Sequence, residues 1–273
     1  NANSAVPAPA TLTGRNVGQS FENAIAGFSG TTNIAVVDAG GVIQNQVEIV
    51  FSGGTMTVNG TAATPATFLT VLNAELGGAA TASFAGGVLS LDAAGGNGLV
   101  VADDPDDPSR KTGRGFSHFF GLNDLISTDR PALYETGLTG TSPHGFTAGE
   151  TLKFRFTGET GARLRDIEIA IPAGATVDDL LTALNDPTTG VGYFGSFSLD
   201  GSGALTFNSS RTPAPQLSVL EDRTTQIPSG VSLTELFGIG GARASRADGF
   251  SVRVDIRQNP SHLALARLDL SAT

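Results

Sequence analysis

The chain has no cysteine and no tryptophan, one methionine, two tyrosines and, among 273 residues, only two lysines, Lys111 and Lys153. Without cysteine there can be no disulfide, no thiolate nucleophile and no sulfur-ligated zinc. Without tryptophan, and with only Tyr134 and Tyr193, the sequence lacks the aromatic platform expected of a sugar-binding groove. The net charge is −10 and no cluster of basic residues interrupts it, so nucleic acid and anionic membrane surfaces are not expected partners. No run of about 18 apolar residues offers a membrane span, and the opening Asn1-Ala2-Asn3-Ser4 has neither a charged nor an apolar signal region. With no initiating methionine, the sequence reads as an excised segment of a longer chain.

Sixteen phenylalanines, thirty-six glycines and 40% hydrophobic residues are present. That is apolar material for two cores, punctuated by many turns. The most informative feature is an internal repeat. Phe116-Ser117-His118-Phe119-Phe120-Gly121-Leu122 returns in weaker form as Leu233-Thr234-Glu235-Leu236-Phe237-Gly238-Ile239. Upstream, in the same order, Val47 to Phe51 matches Ile167 to Ile171, and Phe68 to Asn73 matches Leu180 to Asn185. Gly87 to Leu91 then matches Gly203 to Phe207, and Leu99 to Asp104 matches Leu217 to Asp222. Ordered matches at a nearly constant offset identify a duplicated packing unit.

Alternation of apolar residues predicts strands, and helical spacing predicts one covering helix per copy. In the first copy a hairpin with one buried face runs through Ile34 and Phe51, and Thr64 with Pro65 is expected to start a helix ending near Leu76. Strands follow around Gly86-Gly87 and at Leu99 to Ala102. In the second copy strands run over Leu152 to Phe156 and Asp166 to Ile171, and Thr176 with Asp179 caps a helix over Val177 to Leu184. Strands at Ser196 to Leu199, Ala204 to Asn208 and Gln216 to Leu220 precede a short helix, Leu233 to Phe237. The fold class expected is α+β: two related modules, each a small, mostly antiparallel sheet with one covering helix and a short closing helix. The expected organisation is a lead-in over 1–31 from a missing helical stalk, a first module over 32–129 and a linker or edge segment over 130–150. A second module over 151–247 and a returning strand with exit over 248–273 complete it. The strand expected in this last stretch is Phe250 to Ile256.

Chemistry-bearing patterns are few. His118, His144 and His262 have no metal-ligand spacing. Lys111-Thr112-Gly113 matches one β-lactamase element but lacks its Ser-x-x-Lys partner. The run Asp103 to Pro108 lacks the ligand alternation and downstream glutamate of a calcium hand and reads as a solvated turn. Glu48 and Glu168 recur at equivalent strand positions, which favours solvated faces over a catalytic pair. No catalytic, cofactor-binding or metal residue is therefore assigned, no cofactor is expected, and the chain is not read as an enzyme.

The segment Phe116 to Leu125 resembles the flagellar hook-associated protein 1 family, the proteins that join hook to filament. Asn3 to Pro9 resembles the stretch where that family leaves its helical stalk, and Asn259 to Leu268 resembles the return towards it. The resemblance implies an extracellular structural protein of the bacterial flagellum, exported by the flagellar type III pathway without a cleavable signal. It implies hook protein and the other hook-associated junction protein as partners, and self-association of the full-length protein through coiled-coil ends missing here. The segment alone is then expected to be a monomer. Phe119, Phe120, Leu122 and Leu236, Phe237, Ile239 are expected in the module cores. The competing readings are a secreted adhesin or carbohydrate-binding module, suggested by the acidic, Gly/Thr-rich composition, and a secreted hydrolase with a carboxylate pair in a cleft.

Overall fold

Short alternating segments broken by glycine form hairpins because each leaves one apolar face to bury and one turn that tolerates positive φ. In a computed structural model of the chain, which describes residues 2–3, 10–123, 126–128, 134–239, 250–252 and 257, these segments give an α+β fold of several small antiparallel sheets. In chain order, the first elements are β1 (Ala2–Asn3), β2 (Thr11–Asn16), α1 (Phe21–Ile25), β3 (Gly30–Val37), β4 (Ile43–Ser52), β5 (Thr55–Val58) and β6 (Thr61–Ala63). Next come α2 (Phe68–Glu75), β7 (Ala80–Ala85), β8 (Val88–Ala93), β9 (Gly98–Asp103), α3 (Phe116–Phe120) and β10 (Ile126–Thr128). The remainder are β11 (Thr151–Thr157), β12 (Arg163–Ala170), α4 (Val177–Leu184), β13 (Gly195–Leu199), β14 (Leu205–Ser209), β15 (Gln216–Asp222), α5 (Leu233–Phe237) and β16 (Phe250–Val252). They fall into two compact units. Residues 1–17, 24–129 and 250–273 form one, and residues 18–23 and 130–249 the other.

In the first unit β3 lies between β9 and β4, all antiparallel, and the sheet extends to β1 beyond β9 and to β5 and β6 beyond β4. The hairpin β7–β8 is joined by β2. Ring contacts among Phe28, Phe51, Phe116, Phe119 and Phe120 fill the centre, with centroids 4.9–6.3 Å apart. The sequence predicts one buried face for the β3–β4 hairpin, yet β3 is buried on both. Its second face packs Ala35 and Val37 against Val100 and Ala102 of β9.

In the second unit β11 lies between β15 and β12, again antiparallel, with β13–β14 as a separate hairpin. Here β11 alternates, burying Leu152, Phe154 and Phe156 on one face. These pack with Ile167, Ile169, Leu180, Leu184, Phe197 and Phe237 in one core. Apart from the hairpin β5–β6, inserted in the first unit between β4 and α2, both units run strand, strand, helix, hairpin, strand, helix, with the last strand of the sheet beside the first. In β15, Val219 pairs with Phe154 and Glu221 with Lys153, so Leu220 is an extra residue, a bulge that β9 lacks.

Three boundaries differ from the sequence expectation. α2 begins at Phe68, because Thr64 and Thr67 exchange hydroxyl and amide hydrogen bonds (Thr64 N–H to Thr67 Oγ1, 2.9 Å) and close a turn that displaces the helix start from Pro65. Of the stretch expected as a linker or edge segment, 130–150, the described part belongs to the second unit: it makes single antiparallel bridges at Pro143–Thr176 and Phe146–Gln226 and buries Leu138 and Phe146 in that unit's core. The lead-in expected over 1–31 carries β1, β2, α1 and the start of β3 in its described residues, 2–3 and 10–31, so the strands of the first unit begin before residue 32. Arg15 donates to the carbonyls of His118 and Phe119 at 2.8 Å each, and a Cβ on Gly14 would overlap the Phe120 carbonyl, so β2 packs directly on α3. Of the Phe250 to Ile256 strand, β16 covers the described residues and pairs with β10. Residues 253–256, and the exit segment apart from Arg257, lie outside the described residues.

Phe120 is fully buried within this ring cluster. Phe120→Ala is expected to cost about 3–5 kcal/mol of stability in a denaturant melt of the intact chain. A midpoint close to wild type would contradict the packing described.

Candidate functional site

The polar groups that the sequence singles out are mostly engaged in holding the fold. In the first unit Asp103, at the end of β9, accepts from the Ser109 hydroxyl, and Ser109 Oγ accepts from the Phe116 N–H at 2.8 Å. In the second, Asp222 at the end of β15 accepts from the Thr224 hydroxyl at 2.6 Å, and Thr224 Oγ1 accepts from the Leu233 N–H at 2.8 Å. Each relay satisfies a free donor at the start of a five-residue helix too short to stand alone. A left-handed glycine, Gly121 or Gly238, ends each helix. α5 has in addition a reciprocal cap between Ser232 and Glu235. The Ser-x-x-Glu spacing carried that signal, and sequence reading missed it.

The other candidates are equally occupied. Asp104 accepts from the N–H groups of Asp106 and Asp107, which makes the acidic run a turn. His144 is buried. Its Nδ1 accepts from the Phe146 N–H and its Nε2 bonds the Gly174 carbonyl, both at 2.9 Å, so the hydrogen sits on Nε2 and the ring bridges two loops. His118 lies on α3 with its side chain exposed, and His262 lies outside the described residues. Glu48 and Glu168 are both exposed on their strands, opposite Asn33 and Lys153 respectively. Tyr134 packs at Gly238, and exposed Tyr193 carries the Arg211 guanidinium 3.9 Å over its ring. Phe119, Phe120, Leu122, Leu236 and Phe237 are buried, with Ile239 packed against the second core. Among the described residues no group of three or more His, Cys, Asp or Glu is placed to hold a metal ion, and no helix is long and apolar enough to cross a membrane.

Two electrostatic features stand out. Lys111 is buried, its Nζ donating to the Ala24 carbonyl at 3.0 Å and lying 4.8 Å from the Phe119 ring centre. Burial pulls its pKa down from 10.5 to about 7. In the second unit the Arg155 guanidinium grips Asp166 with two 2.8 Å bonds and holds that carboxyl below the usual range. Asp179, bonded by the Thr176 hydroxyl and N–H, and Asp186, bonded by the Thr189 and Thr188 N–H groups, are lowered likewise. Stability contributed by these acids is present above their ordinary value of 3.8 and lost as pH falls through their lower folded values.

A cleft of about 620 Å³ lies between β12 and α4 in the second unit, lined by Glu168, Ile169, Ala170, Asp179, Thr182 and Asp186 among others. Asp179 is committed to the α4 cap and Asp186 to its turn, so the lining supplies negative charge without a paired acid and base. No protein-family model, curated protein or solved structure matches the chain.

For Lys111 the unfolded chain keeps its proton up to about 10.5 while the folded chain releases it near 7. Folding therefore grows more favourable between those values as pH rises, and gains nothing further from this group below them. Melting curves from pH 7 to 10 should climb in the wild type relative to Lys111→Met. Parallel profiles would contradict the burial.

Proposed function

We propose that the chain is an inert assembly part: two related modules that form the outward region of a structural subunit joining hook to filament in the bacterial flagellum. The observation that carries the modular half of this reading is a pair of matching side-chain clasps. Asn73 bonds both backbone groups of Ala82 (2.9 and 2.7 Å), and Asn185 bonds both backbone groups of Phe197 (2.9 and 2.7 Å). The same residue type, in the last turn of α2 in one unit and immediately after α4 in the other, makes the same two-bond contact to the first strand of the following hairpin. The shared strand order and the paired Asp–hydroxyl–amide relays support duplication too.

The flagellar half rests on the resemblance of Phe116 to Leu125, Asn3 to Pro9 and Asn259 to Leu268 to the hook-associated protein 1 family. An assembly role is consistent with polar residues spent on caps, turns and relays. On this reading the protein is not an enzyme. It is exported to the cell exterior by the type III pathway and contacts hook protein and the second junction protein, with many modest lateral contacts supplying avidity.

Immunogold electron microscopy with antibodies raised against this chain tests the reading. Gold is expected in a short zone where hook meets filament. Labelling spread over the cell surface, with flagella bare, would overturn it in favour of the adhesin.

A further inference from the structure

The two sheets differ at one edge. In the first unit β4 is followed by the hairpin β5–β6, which pairs along β4 from Ile49↔Val58 to Ser52↔Thr55. The hairpin buries Met56 and Val58 and is tied to α2 by Glu75, whose carboxylate accepts from Asn59 and Thr61. In the second unit only Ile171 to Thr176 separate β12 from α4, and among the described residues no strand pairs with the outer edge of β12. The space that β5–β6 fills in one unit corresponds to the cleft between β12 and α4 in the other.

We propose that this cleft is a strand-addition site, which receives an extended segment of a partner protein bearing basic side chains, laid antiparallel along β12. The backbone is set for it. Ile171 N–H bonds inward to the Glu150 carbonyl at 2.8 Å, so the alternation of the ladder turns the peptide groups of Glu168 and Ala170 outward. These are the register positions of Glu48 and Val50, and Glu48 uses its carbonyl to accept from the Asn59 N–H at 2.8 Å. Side-chain size agrees: Ala170 and Ala183 stand where the first unit has Val50 and Val71, leaving room for alternate apolar residues beside Ile169. Charge chooses the occupant. Glu168, paired with Lys153 of β11 at 3.5 Å, Asp179 and Asp186 line the cleft with no lysine or arginine among the lining residues, and a second copy offering its own Thr55 to Ala63 hairpin would bring no cation. The inference uses the matching register of the two units and not the flagellar assignment, so its failure would leave that assignment untouched.

Amide NMR and hydrogen exchange on the whole chain, with a short synthetic peptide alternating lysine and valine as the probe, test it. Shifts and new protection are expected at Glu168, Ala170 and along α4, and the same peptide with glutamate for lysine should bind about tenfold or more weakly. Ala170→Pro removes an outward N–H and Ala183→Trp fills the cleft; each should weaken binding by about tenfold or more with the thermal melt retained. If Ala170→Pro fails to fold, Ala183→Trp decides alone. Shifts elsewhere, no shift at millimolar peptide, or undiminished binding by Ala183→Trp would overturn the proposal. So would concentration-dependent shifts at the same amides without peptide, which would make the occupant a second copy.

Discussion

One side-chain amide in each unit holds helix to hairpin. The carboxamides of Asn73 and Asn185 offer an acceptor and a donor in the spacing of a peptide group, so each adds a short piece of false ladder to the hairpin's first strand. The helix is thereby fixed at its C-terminal end to a strand it does not follow in a sheet. Its apolar residues then pack inward, Phe68 of α2 stacked on Phe51 of β4 with Leu72 buried beside it, and Val177, Leu180 and Leu184 of α4 in the second unit's core. Eight-residue helices are marginal by themselves. Tertiary anchoring, rather than propensity, keeps them in place.

The closing helices apply the same economy. An acid at the end of the sheet's last strand reaches a hydroxyl, and the hydroxyl reaches the first amide of the helix, so strand end and helix start are joined by polar bonds inside an apolar setting. Low dielectric strengthens such bonds and makes a broken one costly. The first unit surrounds this frame with more structure. A strand beyond β9, the β5–β6 hairpin, and β2 with Arg15 at the end of α3 cover edges and ends that the second unit leaves to loops. The units differ too in their middle strands: β3 is buried on both faces while β11 alternates.

Much of the frame was legible in the sequence wherever a local rule decides the conformation. Thr176 with Asp179 sets its helix start and Gly86-Gly87 its hairpin. Reading failed where a competing hydrogen bond or distant packing decides. Thr64 looked like a cap until Thr67 competed for its groups. The segment 130–150 reads as a linker or edge segment by its proline and glycine, and its Leu138 and Phe146 enter a core whose other members come from far along the chain. The bulge at Leu220 has no signature of its own, and it shifts the matched acid from Asp104 to Asp103. The cleft was not legible at all, because it arises from a hairpin that one unit has and the other lacks.

The central claim, that both units are held by the same clasp, is tested most directly by native-state hydrogen exchange on the intact chain carrying Asn73→Ala or Asn185→Ala. The account predicts that each substitution lowers protection at its own contact, Ala82 or Phe197, and through the hairpin that follows, by similar factors and without effect on the other unit. Unchanged protection at either contact, or a loss confined to one of the two units whichever asparagine is replaced, would contradict it.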